Sequence, residues 1–374
     1  MKFSTRTNRM AMAALAAAGL LLLGGCGGAA TASDPGAVSS ASGAAVSSIA
    51  DAASSASGAA VSAIAEAASS LPVKDRAGNA ISVPASVSRI VSMAPSTTQM
   101  LVDLGVGEKV VGIDSYSASF ADSLPSDVKQ FDMTAPDCET IAALKPDIVF
   151  VSELSSSGGP DVFAPLEKAG ICVATIPSSS SLSGIEDDIR FVGACTGEAA
   201  KAEVLAAGLD TVAGQVKNVT SAITGDDKKS VLFMMSVPTS DAPAIYSFGS
   251  GTYMSEILED IGAVNVCADQ QGWVSLTEED AVAMNPDVIL TNVNYLGSDP
   301  VTAIESMAGW ENVTAIKNKA VYYVDADACS RPNEHVGEAM IEWAAKIYPD
   351  IVKKAGLTNT LEKAEAAVSP ATEK

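Results

Sequence analysis

One arrangement of helix and strand signals occurs in both halves of the chain, and this repetition constrains the fold more than any other feature. ETIAALKPDIVFVS (139–152) aligns with EDAVAMNPDVILTN (279–292), and in both a helical segment ends at Pro-Asp and an apolar strand begins. QMLVDLG (99–105) matches EILEDIG (256–262) in the same way. The repeat predicts an α/β fold with two Rossmann-like lobes, each built on a parallel sheet.

Short apolar runs supply the predicted strands, and amphipathic segments supply the helices between them. We expect strands at 89–93, 109–113, 147–151 and 171–176 in one lobe, and at 231–235, 263–267, 287–290 and 320–324 in the other. We expect helices at 96–104, capped by its serine, and at 139–144, 161–169, 252–261, 278–284 and 334–347. The predicted lobes are therefore 73–184 and 225–350.

Apolar residues recur at roughly helical spacing throughout the segment between the lobes. This pattern predicts one long connecting helix at 185–224, in which about 35 helical residues would span about 50 Å at 1.5 Å per residue. A rigid connection of this kind limits how far two lobes can swing. The predicted tail, 351–374, has no functional interpretation.

The beginning of the chain has the features of an export signal. Lys2, Arg6 and Arg9 precede an apolar run at 10–23, which is too short to span a bilayer comfortably. The run ends in Leu-Gly-Gly-Cys, which resembles the lipobox of bacterial lipoproteins. The resemblance implies a signal peptide at 1–25 and lipidation of Cys26; the alternative is an ordinary signal peptide that ends beside a chance cysteine.

Residues 26–72 are rich in alanine, serine and glycine. SSASGAAVSSIADAA (39–53) is followed directly by SSASGAAVSAIAEAA (54–68). A segment with so little bulky apolar surface predicts a tether between the lipid and the lobes. A partner helix for a coiled coil is the alternative, and it depends on four aliphatic residues, Val46, Ile49, Val61 and Ile64.

The charge balance excludes some partners. The formal charge is −22, and loss of the three basic signal residues leaves 20 basic and 45 acidic residues, or −25. Nucleic acid would be repelled, as would an anionic lipid surface, so attachment to a membrane must be covalent. The chain should therefore be exported and lipid-anchored on the outer face of the cell membrane, or periplasmic.

Five cysteines follow Cys26, and none has a CxxC or Cys/His spacing typical of a zinc site. Because an exported chain can oxidise its thiols, Cys172–Cys195 and Cys267–Cys329 are candidate disulfides, and Cys138 would be a small buried apolar residue.

Several segments resemble the substrate-binding proteins of bacterial ABC importers for ferric siderophores, haem and cobalamin, the class III periplasmic binding proteins. They are VKDRAGNAISVPASVSRIVSMAPSTTQMLVDLG, KVVGIDSYS, the ETIAALKPD stretch, VFAPLEKAGI, GTYMSEILEDIG, QQGWVSLTEEDAVAMNPDVI and VYYVDADACSRP. The resemblance implies two lobes joined by a helix, a ligand in the cleft between them, and delivery to a permease driven by a cytoplasmic ATPase. It implies no resident cofactor, and the transported ligand would be an iron chelate or a corrinoid bound by a monomer.

Candidate ligand-binding residues lie where parallel strands present ligands, at the carboxyl ends of the predicted strands or in the loops that follow. They are Met93, Ser96, Thr97, Tyr116, Ser236, Tyr246, Trp273 and Arg331. By resemblance, Ser96, Tyr116, Trp273 and Arg331 line the cleft, where aromatic rings would cover a flat ligand and Arg331 would meet an anionic oxygen. Local packing is the alternative for the aromatics, and a structural ion pair is the alternative for Arg331.

Many relatives carry a second arginine after Arg-Pro, but here His335 follows, which disfavours a highly anionic ligand. As the only histidine, His335 could be an axial haem ligand opposite Tyr116 or Met235; a polar surface group is the alternative. In the family, one carboxylate on each lobe pairs with permease arginines. The resemblance points to Asp161 on one lobe and to Glu256 and Glu259 on the other, although a solvated helix face would explain them equally well.

Catalysis has little support in the sequence. There is no GxSxG, Walker loop or GxGxxG motif, and a manganese or zinc carrier would draw on several histidines. We therefore expect a carrier and not an enzyme: a lipoprotein that captures a ferric chelate or cobalamin between its lobes and releases it unchanged. A surface adhesin, a scaffold lipoprotein, or a carrier of another small solute is the alternative.

Overall fold

The computed structural model describes residues 71–153 and 161–357. The predicted signal peptide, Cys26 and nearly all of the predicted tether lie outside the described residues, as do residues 358–374 of the predicted tail. Among the described residues, no helix is both long enough and apolar enough to cross a bilayer.

The first lobe is built on a five-stranded parallel sheet in the order β3-β2-β1-β4-β5. Its strands are β1 (Ile90–Ser92), β2 (Val110–Asp114), β3 (Lys129–Phe131), β4 (Ile148–Ser152) and β5 (Cys172–Ile176). The four predicted strands are confirmed. β3 was not predicted, because two of its three residues are exposed and polar and it has no apolar run.

The second lobe contains a four-stranded parallel sheet, β11-β10-β6-β8, and a separate antiparallel ribbon formed by β7 and β9. The strands are β6 (Ser230–Met234), β7 (Ile245–Phe248), β8 (Val264–Asn265), β9 (Trp273–Leu276), β10 (Val288–Thr291) and β11 (Val321–Tyr323). The prediction of two α/β lobes with parallel sheets is confirmed, whereas the ribbon was not predicted.

Both faces of each sheet are buried, which is why the central strands are apolar at most positions. Along β4, Ile148 and Phe150 belong to one buried cluster, while Val149 and Val151 belong to another on the opposite face. In β6 the same alternation places Phe233 in the first cluster and Leu232 in a third. Successive side chains of a strand thus point to opposite faces of the sheet, so each lobe has one buried apolar layer on each face.

Twelve α-helices are present in the described residues. They are α1 (Pro95–Asp103), α2 (Cys138–Ala143), α3 (Ala164–Lys168), α4 (Leu182–Thr196), α5 (Ala199–Thr220), α6 (Tyr253–Asp260), α7 (Glu278–Met284), α8 (Pro300–Glu305), α9 (Thr314–Lys317), α10 (Ala326–Ser330), α11 (Val336–Ile347) and α12 (Pro349–Ala355). The predicted helices are present, but α8, α9, α10 and α12 were not predicted. The first residue of α1 is Pro95, so the predicted serine cap is wrong.

The single connecting helix predicted at 185–224 is also wrong, because the chain reverses at Gly197. This residue has φ +81°, a left-handed conformation that ends α4 and that glycine adopts without strain. Helices α4 and α5 then form a hairpin, in which Arg190 pairs with Glu203 at 2.7 Å. Only the 22 residues of α5 remain as a connecting helix, and its buried face joins one apolar cluster that includes residues of both lobes.

All five described cysteines are free thiols, so both predicted disulfides are wrong. Cys267 lies in a cluster with Leu232, whereas Cys329 is buried in another cluster beside α11. Burial raises the pKa of the Cys195 thiol to about 12, which keeps that sulfur protonated and unreactive. Cys138 is only partly buried, and its thiol donates to the Val162 carbonyl oxygen.

Candidate ligand-binding site

The carboxyl end of the first sheet meets the second lobe at a cavity of about 140 Å³. Its walls combine loops that follow β1, β3, β4 and β5 with the segment that follows α10. The lining residues are Ala94, Pro95, Ser96, Met133, Ser152, Ile176, Pro177, Ser178, Asp188, Ser330, Arg331 and Pro332. The cavity therefore lies between the lobes, as predicted, and it includes the predicted residues Ser96 and Arg331.

Arg331 connects the two walls of this cleft. One of its terminal nitrogens, Nη2, lies 2.8 Å from the Asp327 carboxylate and donates to the Ser119 hydroxyl at 3.4 Å. Its guanidinium also lies over the Phe120 ring, 4.8 Å from the centroid. Asp327 belongs to the second lobe, while Ser119 and Phe120 belong to the first. The guanidinium is the only cation among the lining residues, so it is the natural partner for an anionic group of a ligand.

Polar side chains lie deep in the cleft. The Ser152 hydroxyl at the end of β4 is buried and has no hydrogen-bond partner among the described residues. Asp188 of α4 is buried as well, and burial raises the pKa of this carboxyl; it accepts hydrogen bonds from Ser179 and Arg76. Because Asp188 is satisfied and Ser152 is not, Ser152 is the group that a ligand can satisfy. Ser152 was not predicted, although it ends an apolar run.

Tyr116 does not line the cavity, and a buried hydrogen-bond network holds its backbone. It follows β2 at the start of a 3₁₀ helix, Ser115–Ser123, and its ring is 69% exposed. The Asp114 carboxylate accepts from the backbone N–H of Tyr116 at 2.8 Å and from the hydroxyl of Ser117. Burial raises the pKa of Asp114 even though these bonds lower it. An exposed ring on a fixed backbone is suited to stacking on a ligand.

The antiparallel ribbon carries two further aromatic residues, and neither lines the cavity. Tyr246 pairs with Ser275 and Phe248 pairs with Trp273, so Tyr246 and Trp273 occupy diagonal positions on one face. Both rings are more than half exposed. The N–H of Tyr246 donates to the Ser236 hydroxyl at 2.8 Å, which fixes Tyr246 beside the carboxyl end of β6. Ser236 therefore positions Tyr246 and is itself bonded to the chain, since its hydroxyl donates to the Ala244 carbonyl oxygen.

Tyr295 is an exposed aromatic residue that was not predicted. It follows β10 in a loop and is 65% exposed. Asn292, at the start of the same loop, donates to the Ser330 hydroxyl at 2.8 Å and so connects this loop to the segment that carries Arg331. The available signal was an aromatic residue shortly after a predicted strand, the same signal that identified Tyr116.

Met93 and Thr97 do not line the cavity. Met93 is fully buried in a cluster beneath the sheet, and Thr97 is 2% exposed on the inner face of α1. Met93 directly precedes the lining residue Ala94, and Thr97 directly follows the lining residue Ser96. The sequence therefore predicted the position of the loop but not the direction in which its side chains point.

His335 does not face the cleft, so the haem-ligand interpretation is wrong. Its Nε2 lies 3.1 Å from Asp103 Oδ2, and its Nδ1 lies 3.3 Å from Glu338 Oε1. Both ring nitrogens are therefore directed at carboxylates at the junction of α1 and α11. The alternative of a polar surface group is also inaccurate, because the side chain is only 16% exposed.

The predicted docking carboxylates differ in their surroundings. Asp161 is exposed and accepts from the N–H of Phe163 just before α3, and Glu259 is exposed on α6. Glu256 is half-buried, and its carboxylate accepts from the N–H of Leu182 at 2.8 Å, at the start of α4. Glu256 thus connects α6 to the helical hairpin and has a structural role that the sequence did not indicate.

A protein-family model described as "Periplasmic binding protein" matches residues 90–328. The chain belongs to this family. It is 33% identical over 285 residues to YvrC of Bacillus subtilis, an uncharacterized ABC transporter substrate-binding lipoprotein, across 75% of this chain and 87% of YvrC. A cobalamin-binding protein of Halobacterium salinarum is 24% identical over 292 residues, or 74% of each chain.

A solved structure has the same fold. The molybdate-bound form of the Haemophilus influenzae molybdate-binding protein MolA superimposes with a TM-score of 0.67 at 19% identity, covering 79% of this chain and 95% of MolA. The predicted family is thus confirmed. This periplasmic binding protein is the solute-binding component of an ABC importer and not an enzyme, with a permease and its ATPase as partners and a small molecule as ligand.

Proposed function

We propose that the solute is a bulky, flat metal chelate, either a corrinoid or an iron chelate such as haem or a ferric siderophore. The observation that carries this proposal is the set of four aromatic rings that are more than half exposed among the described residues, all in loops after strands or in the ribbon. They are Tyr116 on the first lobe and Tyr246, Trp273 and Tyr295 on the second. Exposed rings of this size are unfavourable in water and favourable against the face of a conjugated ligand.

The size of the cavity determines how such a ligand enters. Pockets for drug-sized molecules measure about 300 to 1,000 Å³, whereas the cavity between the lobes measures about 140 Å³. To enter, a chelate must therefore separate Arg331 of the second lobe from Ser119 and Phe120 of the first. It would then lie between the two lobes. Arg331 then exchanges its contacts within the protein for a carboxylate or catecholate oxygen of the ligand.

A small oxyanion is a second candidate, and one observation favours it. The cavity accepts a small anion without any separation of the lobes, and it presents Arg331 together with the unsatisfied hydroxyl of Ser152. MolA, which binds molybdate, shares the fold. The exposed rings have no role in binding a small oxyanion, and for that reason the chelate is our main proposal.

The anchor and the export signal belong to the proposal too. Residues 1–25 act as a signal peptide, Cys26 carries the lipid, and residues 26–72 hold a monomeric carrier away from the outer face of the membrane. The lipobox-like sequence supports this arrangement, as does the lipoprotein named among the relatives. Asp161 and Glu259 are the proposed permease contacts, because both are exposed, while Glu256 contributes mainly through its bond to Leu182.

Calorimetric titration of the purified full chain with cobalamin, haemin, a ferric catecholate siderophore and molybdate tests the proposal. We expect saturable one-to-one binding of one of the three chelates and no heat of binding for molybdate. Binding of molybdate alone would favour the oxyanion carrier. Binding of none of the four would reject both candidates.

A further inference from the structure

A second cluster of ionisable groups lies at the junction of the lobes, away from the residues that line the cavity. Asp103 ends α1 of the first lobe, while Glu334 and His335 directly precede α11 of the second. One potential ligand atom from each lies within 4.8 Å of the others. One turn earlier on α1, Gln99 accepts from the Asn333 amide at 3.3 Å, which holds the two segments together.

The Glu334 carboxyl group is the unusual member of this cluster. Its side chain is fully buried, and neither Oε1 nor Oε2 has a hydrogen-bond partner among the described residues. Lys201, a neighbouring cation, donates to the Leu104 carbonyl oxygen and pairs with Glu198. A buried carboxylate without a partner is among the most unfavourable groups in a protein interior. A charge on this carboxylate must therefore be balanced, either by a bound cation or by protons.

The orientation of His335 is typical of a metal-ligating histidine. In such sites one ring nitrogen binds the metal, and the other donates its N–H to a carboxylate that fixes the ring. Here Nδ1 lies 3.3 Å from Glu338 Oε1, while Nε2 is directed at the Asp103 carboxylate at 3.1 Å. Glu338 thus occupies the position of the orienting carboxylate, and Nε2 is directed into the cluster.

We propose that Asp103, Glu334 and His335 bind a divalent transition-metal cation, with Zn²⁺ as the best match to one imidazole and two carboxylates. Zn²⁺ accepts nitrogen and oxygen ligands with four-fold coordination, so three protein ligands leave one position for water. Asp103 and His335 are 19% and 16% exposed, which provides a path from solvent to the buried Glu334. The cation would join α1 of one lobe to the start of α11 of the other. This inference is independent of which solute the cleft binds.

Protons are the competing way to balance the same charge. Burial and the neighbouring Asp103 raise the pKa of Glu334. Burial alone would lower the pKa of His335, but hydrogen bonds to Asp103 and Glu338 raise it to about 11. A zinc ion must displace these protons. It therefore binds only if the three ligands have a higher affinity for zinc than for the protons.

Zinc titration of the purified full chain after treatment with a chelator tests the proposal. We expect one Zn²⁺ per chain by calorimetry, and a rise in the midpoint of thermal unfolding of about 5 °C at a hundredfold excess over Kd. Because loss of an outer partner of a metal ligand already weakens binding 10- to 100-fold, Glu334→Gln and Asp103→Asn should each weaken zinc binding at least about tenfold. Glu334→Gln keeps the shape of the side chain and removes the charge that needs balancing.

Asp260→Asn is the matched control, since Asp260 occupies the position on α6 that corresponds to Asp103 in the sequence repeat and pairs with Lys217. It should bind zinc as the native chain does. Absence of one-to-one zinc binding by the native chain would overturn the proposal, as would equal binding by native chain, Glu334→Gln and Asp103→Asn. If Glu334→Gln does not fold, the visible absorption of added Co²⁺ tests the site instead. We expect an absorption band at one equivalent of Co²⁺ with the native chain and no band with Asp103→Asn. Identical spectra for the two proteins would overturn the proposal.

Discussion

The guanidinium of Arg331 lies over the Phe120 ring at 4.8 Å and thereby joins the two lobes across the cavity. The same group is the only cation among the residues that line this cavity. We propose that it has two alternative partners, the opposite lobe when the cleft is empty and an anionic ligand group when the cleft is filled.

Replacement of Arg331 should separate anionic from neutral ligands. We expect Arg331→Gln to weaken capture of haemin or a ferric catecholate by about 1.5 to 3 kcal/mol, because a hydrogen bond to a charged group is lost. Cobalamin binding should change by less. Calorimetry of the variant measures both, with Arg89→Gln as control, since Arg89 donates to the Leu144 carbonyl oxygen away from the cavity. Equal loss for all ligands, or no loss, would argue against a direct contact.

Single replacements of the exposed aromatic residues should show whether their rings stack on the ligand. Trp273→Ala and Tyr116→Ala should each weaken binding by about 1 to 3 kcal/mol, whereas Trp273→Phe should retain most of the affinity. Val204→Ala on α5 removes an exposed apolar group elsewhere and serves as the control. If both alanine variants bind as tightly as the native chain, these rings do not belong to the site.

The close contact between α4 and α5 should depend on Gly193. A Cβ at Gly193 would lie 2.3 Å from the Cβ of Ala202, so Gly193→Ala should lower the free energy of unfolding by about 1 to 3 kcal/mol. Gly214, in the same hairpin, has open space around it, and Gly214→Ala should raise the free energy of unfolding by about 0.5 to 1 kcal/mol. Urea denaturation measures both variants. Equal effects would show that the two helices are not in close contact.

Glu256 should influence stability rather than permease docking alone. Its carboxylate bonds the N–H of Leu182 at the positive end of α4, so Glu256→Ala should reduce the free energy of unfolding by about 0.5 to 2 kcal/mol. Glu259→Ala removes an exposed carboxylate of the same helix and should change stability by less than about 0.5 kcal/mol. Thermal unfolding of the two variants distinguishes these roles. Equal stabilities would show that the hydrogen bond between Glu256 and Leu182 does not stabilise the fold.

Docking should depend on the exposed carboxylates. The double variant Asp161→Ala and Glu259→Ala should abolish uptake of the solute in cells, because attraction to the permease arginines is lost on both lobes. Its affinity for the ligand in solution should remain native. Normal uptake by this variant would reject the proposed contacts, and Asp241→Ala, which removes another exposed carboxylate, controls for net charge.

The sequence predicted the structure well where burial of apolar side chains alone determines which residues form an element. Strands such as Ile148–Ser152 are buried on both faces and therefore apolar at nearly every position, so their positions could be predicted to within a residue or two. The family segments located the loops after β1 and β2 for the same reason, since each follows such a strand. The ribbon of Ile245–Phe248 and Trp273–Leu276 has no comparable run, because one of its faces carries Tyr246 and Trp273 into solvent.

Other features depend on residues that are distant in the chain. The apolar pattern continues across Gly197, and only the left-handed turn there reveals that the predicted connecting helix is a hairpin. The family resemblance points to Glu256 as a docking residue, yet its partner Leu182 is 74 residues away in the chain and is not apparent from the sequence. The cluster of Asp103, Glu334 and His335 has no spacing motif at all, because its members are brought together by the packing of two lobes.

Hydrogen exchange measured by mass spectrometry, with and without each of the three chelates, tests the central claim most directly. A chelate held between the lobes should slow exchange at once in 115–123 of the first lobe and in 245–248 and 273–276 of the second. Protection confined to one lobe, or no protection by any of the chelates, would contradict an interlobe site for such a solute.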